Sequence, residues 1–278
     1  RNPLMIFFGA AAQFGIFATM IVATLLGFDL KTAASIGIIG AADGPTAIYV
    51  ANKFARDYLA PISVAAYSYM SLVPIIQPPV IRLLTTKQER SIHMPLHEKQ
   101  SPQWLKILFP ILVTMTSGIV APISVPLVGS LMFGNLIRES GVVERLSQVA
   151  QNELAYLVTL LLGISIGGSM SAEKFLNFDT LLILAMGLVA FIFDTAGGVL
   201  FAKLVNMFLP KEKKINPMIG ACGISAFPMS ARVIQKMAND EERGNIILMQ
   251  AIGANVSGQL GSIIAGGLVL ALVPLIVG

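Results

Sequence analysis

The sequence predicts an all-α polytopic membrane protein, an inverted-repeat, transporter-like fold in which two broken helices meet near the bilayer midplane. Three observations lead there. Of the 278 residues, 55% are hydrophobic and only 12% charged, with a mean hydropathy of +0.77; an ordinary soluble domain has roughly 25% charged residues. The apolar runs are long enough for spanning helices rather than barrel strands. One of those runs holds a carboxylate, Asp43, among the helix breakers Gly37, Gly40, Gly44 and Pro45. Glycine and proline interrupt a helix and free backbone amides and carbonyls. At bilayer depth such groups are tolerated only inside protein or facing a watery cavity. A carboxylate there costs a few kcal/mol on insertion scales and is rarely idle.

Taken in order, residues 4–28 read as a spanning helix whose one notable polar side chain is Gln13. Residues 32–54 carry the Asp43 break and end at Lys53 and Arg56. Residues 59–84 form an apolar segment interrupted by Pro61, Pro74, Pro78 and Pro79. The polar stretch 85–104, with Lys87, Arg90, His93, His97 and Lys99, reads as a cytoplasmic loop by its Lys/Arg content. Residues 105–133 resume the apolar pattern, and 134–152 read as short amphipathic helices broken near Gly141. Residues 154–172 and 180–209 are further spans, the second containing Asp194, followed by a basic loop at Lys211, Lys213 and Lys214. Residues 215–238 look broken like the Asp43 run, and 245–277 close the chain. The organisation expected is a first repeat at 1–84, the basic loop at 85–104, linking spans at 105–179 and a second repeat at 180–278.

The repeat shows as self-similarity. A shift of 183 residues (198 − 15) pairs Gly15 with Gly198, Gly37 with Gly220, Gly40 with Gly223, Pro45 with Pro228 and Lys53 with Lys236, without a gap. If the segments starting at 4, 32, 59, 105 and 154 each cross once, an odd count inverts the second copy. The breaks differ chemically: Asp43 aligns with Ala226, while Ser225, Ser230 and Arg232 belong to the second copy only.

Each candidate has a bland alternative. Asp43 is a sodium or proton ligand, or an N-cap for the helix resuming near Pro45. Arg232 grips a carboxylate, snorkels to the interface, or pairs with Asp43 or Asp194. Asn216, Ser225, Asn255, Ser257 and Ser262 offer neutral oxygens suited to sodium, or serve as helix–helix glue. Tyr67 and Tyr69 ligate or relay a proton, or are buried against carbonyls. Asp194 is a second ion ligand or a counter-charge. His93 and His97 read as solvated loop residues.

Several classes are excluded. The net charge of +4 sits in loops and implies no nucleic-acid partner. A lone Cys222 in an apolar run rules out an internal disulfide and makes no reactive thiol. There is no nucleotide-binding loop, Ser-His-Asp set or Cys cluster. Without a Met-Lys-Met biotinylation motif, any biotin comes from a partner. Arg1 is not a natural start and no signal peptide is visible, so the chain is expected to be part of a longer polypeptide.

The run Gly40-Ala41-Ala42-Asp43-Gly44-Pro45-Thr46-Ala47-Ile48-Tyr49 resembles the signature of the β subunits of biotin-dependent sodium-pumping decarboxylases. The likeness continues through Ala65–Met70, Pro74–Pro79, Phe133–Leu146, Ile215–Gly220 and Gly253–Gln259, and so covers essentially the whole chain. That family includes the oxaloacetate, methylmalonyl-CoA, glutaconyl-CoA and malonate enzymes, whose β subunits usually begin with a further hydrophobic region not present here. The resemblance implies a membrane subunit that decarboxylates carboxybiotin, consumes a proton and exports sodium. It implies Asp43, Asn216, Asn255, Ser225, Tyr67 and Tyr69 as sodium ligands. Arg232, Tyr67 and Tyr69 would be catalytic, and Arg232 with Ser225 would hold carboxybiotin. Implied partners are a carboxyltransferase α subunit, a biotin carrier subunit and a small membrane γ or δ subunit. A homotrimer in the bacterial inner membrane is also implied. The segment Phe193–Gly198 looks more like the acyl-CoA branch than the oxaloacetate branch. Competing readings are a sodium/proton antiporter without biotin chemistry and a non-catalytic membrane anchor.

Overall fold

The computed structural model describes residues 4–94, 101–170 and 177–277, the side chains of Leu4, Val120, Ser169 and Lys211 excepted. Its described residues contain helices and no strands. Among the described residues, five helices are long and apolar enough to cross a membrane: Met5–Leu25, Arg56–Leu84, Glu144–Gly168, Phe178–Phe208 and Leu248–Val277.

The first span is not the plain helix expected. Helix α1 (Leu4–Ala12) stops at a turn on Gln13, and α2 (Phe14–Leu25) resumes at once. Helix α3 (Leu30–Gly37) starts on the Asp29 side chain, which accepts from the amides of Lys31 and Thr32. It tightens into a 3-10 turn at Ile38–Ala41 and ends at Ala42, a non-glycine residue with φ of 51°. Helix α4 (Gly44–Phe54) restarts from Asp43 with Pro45 in its first turn. The break expected from the breakers is therefore present.

Helix α5 (Leu59–Leu84) runs unbroken through Pro74, Pro78 and Pro79, so those prolines do not interrupt the segment as expected. Each removes one amide donor, which frees the carbonyls four residues earlier, at Met70, Pro74 and Ile75. The short helix α6 (Lys87–Arg90) sits in the polar loop on a capping box between Thr86 and Glu89; His97 lies outside the described residues.

Residues 105–133 do not make one crossing. Helix α7 (Gln103–Val120) turns at Ala121–Ser124 and returns as α8 (Val125–Ser140), packed alongside. The open ends are tied by the Gln103 amide donating to the Glu139 carbonyl and by a Lys106–Glu139 ion pair at 3.4 Å. Pro122 and Pro126 favour this reversal, since neither can supply an interior helix amide. The crossing count that inverted the second copy thus loses its premise. The amphipathic stretch splits at Gly141, with φ of 68°, as expected. Helix α9 (Glu144–Val149) then passes through a π turn into α10 (Ala155–Ser169), and the window of this span is 0% buried.

Helix α11 (Phe178–Phe208) is the central element. It lies antiparallel to α1 and α2: Phe8 meets Phe201 edge-to-face at 5.8 Å, and the Ile16 amide reaches Asp194. A 3-10 segment (Pro217–Gly223), helix α12 (Met229–Glu241) and helix α13 (Leu248–Val277) complete the chain. Gly198 and Gly220 let α11 and this 3-10 segment touch backbone to backbone; a methyl on either would strike the other's carbonyl. One apolar cluster packs around the first break, another around the second.

Candidate functional site

The two breaks meet. The Ser225 amide donates to the Ala41 carbonyl at 2.9 Å, joining chain segments that lie 184 residues apart (225 − 41). Beside that bond stands Asp43, only 8% exposed. Its Oδ1 accepts from the Thr46 amide at 3.1 Å, so Asp43 is the N-cap of α4. Its Oδ2 accepts from the hydroxyls of Ser225 (3.1 Å) and Ser262 (2.6 Å). One carboxylate therefore caps a helix with one oxygen and gathers two hydroxyls with the other. Asn255, fully buried on α13, donates to the Ile224 carbonyl at 2.7 Å, next to Ser225. The Tyr67 ring packs against Gly44, where a methyl would collide with it, within electrostatic reach of Asp43.

Other expected residues lie elsewhere. The Tyr69 hydroxyl donates to the Leu184 carbonyl of α11 at 2.5 Å, so the two tyrosines diverge. Asn216 is buried at the far end of the Pro217–Gly223 segment from Ser225, on the order of 14 Å away at about 2 Å rise per residue. Its amide donates to the carbonyls of Arg90 and Ile92, and its oxygen accepts from the Met218 amide. Asn216 thus clamps the polar loop and is not brought to Asp43. Arg232 is exposed on the first turn of α12. Among the described residues its side chain has no ion pair, with Asp43, Asp194 or any other acid. Asp194 is fully buried, and its Oδ1 accepts from the Ile16 amide (3.1 Å), which also donates to the Gln13 carbonyl (3.2 Å). His93 pairs with Glu242 at 3.1 Å, on the surface. Ser257 ties α13 to α1 by donating to the Met5 carbonyl.

Ser262 stood among five neutral oxygens that the sequence offered, and Gln77 was not among the candidates. Ser262 makes the shorter of the two hydroxyl contacts to Asp43. Its seven-residue spacing from Asn255, two helical turns, was the available signal. Gln77, fully buried, donates to the Ala221 carbonyl at 2.9 Å and accepts from Ser230 at 2.9 Å, bracing α5 against the second break.

The donor set around Asp43 is one carboxylate and neutral oxygens, the hard ligands that suit an alkali or alkaline-earth cation. No cluster of three His, Cys, Asp or Glu residues stands among the described residues, so the softer ligand sets of transition metals are not formed there.

Helices interrupted at a buried carboxylate, inside a bundle of membrane-length helices, define a membrane protein of the ion-handling class. The sequence profile of the Na+-transporting oxaloacetate decarboxylase beta subunit family matches residues 1–273, and the chain belongs to that family. It is 50% identical over 275 residues to the oxaloacetate decarboxylase beta chain of Haemophilus ducreyi, covering 97% of this chain and 62% of that protein. It is 49% identical over 272 residues to the glutaconyl-CoA decarboxylase subunit beta of Acidaminococcus fermentans, covering 98% and 72%. It is 50% identical over 271 residues to the methylmalonyl-CoA decarboxylase subunit beta of Veillonella parvula, covering 98% and 72%. The chain thus spans less than two thirds of the Haemophilus relative's length. Oxaloacetate and acyl-CoA relatives match at the same level, so the leaning toward the acyl-CoA branch drawn from Phe193–Gly198 is not supported.

Proposed function

We propose that this chain is the membrane subunit that decarboxylates carboxybiotin and couples the reaction to sodium export with uptake of a proton. The observation that carries the reading is the Asp43 carboxylate, held with Ser225 and Ser262 where the two helix breaks join. Asp43, Ser225 and Ser262 form the sodium site, with Tyr67 alongside. A sodium ion there cancels the carboxylate charge, which lowers the cost of moving the loaded segment through a low-dielectric environment. Carboxybiotin is an anion, and Arg232 is an exposed guanidinium with no acid paired to it among the described residues, suited to bind a carboxylate bidentately. The biotin is carried by a partner, together with a carboxyltransferase and a small membrane subunit, and the chain works as a homotrimer in the bacterial inner membrane.

The two copies of the repeat are inverted. The succession of spanning helix, broken segment, short helix and long helix occurs as α1–α5 and again as α11–α13. The equivalent spans α1–α2 and α11 run antiparallel, which supports the inversion without any crossing count.

The test is sodium uptake into inside-out vesicles holding the whole complex, driven by the decarboxylation substrate. Avidin is expected to abolish uptake, and Asp43→Asn to remove it with the sodium response. Uptake that ignores avidin would establish an antiporter and overturn this reading.

A further inference from the structure

A cavity of about 390 Å³ opens where the long apolar helix α11 ends and meets the two polar loops. One wall is apolar. Leu200, Leu204 and Met207 stand at i, i+4 and i+7 on one face of α11, and all three are exposed. The other wall is charged, with Lys203, Lys214 and Glu89. Lys203 is fixed there: its Nζ donates to the Leu84 carbonyl at 2.9 Å and pairs with Glu89 at 3.2 Å. Lys214 is brought back to the helix end by Asn206, which exchanges two hydrogen bonds with the Ile215 backbone, at 2.6 and 2.8 Å. Lys214 is exposed and, among the described residues, has no ion pair. Two ammoniums against one carboxylate leave the lining one positive charge in excess.

Each wall narrows the ligand. Leu200 lies on the order of 12 Å inside the end of α11 at Phe208, at about 1.5 Å rise per residue (208 − 200). At that depth a spanning helix is surrounded by hydrocarbon, and an apolar chain covers it best. A soluble anion such as inorganic phosphate would meet the lysines and leave the leucines bare. The lysines lie beside the polar loop read as cytoplasmic, and basic pockets between helices on that face hold anionic headgroups. The excess of one charge matches a phosphodiester; a zwitterionic headgroup would bring its own ammonium against Lys214. We propose that this cavity binds an anionic phospholipid of the phosphatidylglycerol type, its phosphate on Lys214 and Lys203 and an acyl chain along Leu204 and Leu200. The lipid joins α11 to both polar loops and so stabilises this end of the bundle. The site lies apart from the Asp43 cluster and does not depend on the sodium reading.

Native mass spectrometry of the purified complex, stripped of lipid in detergent and titrated with phosphatidylglycerol or phosphatidylcholine, tests this. Phosphatidylglycerol is expected to bind at one molecule per chain ahead of phosphatidylcholine, and to raise the melting temperature where phosphatidylcholine does not. Lys214→Gln is expected to weaken phosphatidylglycerol by about fivefold, the effect of one lysine facing an anionic headgroup. Leu204→Gln is expected to weaken it as well. Lys53→Gln, at an exposed lysine on the last turn of α4, is expected to change nothing. Equal binding of the two lipids overturns the proposal, as does unchanged affinity in both Lys214→Gln and Leu204→Gln. A loss in Lys53→Gln equal to that in Lys214→Gln also overturns it, because the binding would then follow overall charge. Displacement of the lipid by sn-glycerol 3-phosphate would make this a site for soluble phosphates instead. If the whole complex takes up no phosphatidylglycerol, the face belongs to another subunit and the lipid site falls.

Discussion

The Ser262 hydroxyl donates to Asp43 Oδ2 at 2.6 Å, across 219 residues of chain. This bond pins the middle of the last helix to the first break. On the sodium-site reading proposed above, it also sets the two oxygens that would hold the cation side by side. Ser262→Ala is expected to raise the sodium concentration for half-maximal decarboxylation by roughly tenfold, since a hydrogen bond to a charged group contributes about 1.5–3 kcal/mol. A sodium titration of the purified complex reads it. An unchanged midpoint would remove Ser262 from the site.

The two tyrosines separate by experiment. Tyr69 is tied to the Leu184 carbonyl, so Tyr69→Phe is expected to lower stability by about 1 kcal/mol with turnover little changed. Tyr67 lies against Gly44 beside Asp43, so Tyr67→Phe is expected to slow turnover and leave stability within about 0.5 kcal/mol. Thermal melts and turnover rates on the same preparations decide it.

Arg232→Gln is expected to abolish carboxybiotin decarboxylation while sodium binding persists, because Asp43 is bonded to Thr46, Ser225 and Ser262 and, among the described residues, forms no ion pair with the guanidinium. Parallel assays of free carboxybiotin turnover and radioactive sodium binding check this. Joint loss of both would assign Arg232 to the fold instead.

Gly220→Ala forces a methyl into the Gly198 carbonyl, backbone against backbone. A loss of about 1–3 kcal/mol is expected, the usual range for overpacking. Gly163→Ala meets nothing within reach and is expected to stay within about 0.5 kcal/mol. The melting temperatures of the two variants make the comparison.

Glu89 supplies a pH dependence outside the membrane. Burial pushes its carboxyl up, but bonds from Thr86 and the Lys203 ammonium outweigh this and hold it below the ordinary glutamate value. Its folded-state value is depressed, so its contribution is fully present above the ordinary glutamate range. It is lost as the pH falls through the folded-state value. Glu89→Gln is therefore expected to lower the melting temperature at neutral pH. The gap to the unaltered protein should close in acid. A gap constant with pH would contradict it.

Much of the local architecture was readable from residue types. The Asp43 break follows from Gly37, Gly40 and Pro45, which act on their own backbone and immediate neighbours. The cap at Asp43 and the split at Gly141 are equally local. The prolines of the third segment misled, because α5 keeps Pro74, Pro78 and Pro79 in one helix, while Pro122 and Pro126 mark a reversal inside a run read as one segment. A proline removes one amide wherever it stands; the packing around it decides whether the helix tolerates the loss.

The amino-acid order alone established a helical membrane protein, its breaks and the acid at one of them. Hydropathy and backbone stereochemistry work over a few residues and need no partner. Which oxygens assemble was decided by the folded chain. Ser225 and Ser262 reach Asp43 across 182 and 219 residues, while Asn216 is held by the Arg90 and Ile92 carbonyls instead. Such pairings depend on how long helices pack against each other, and no short-range period in the sequence records them.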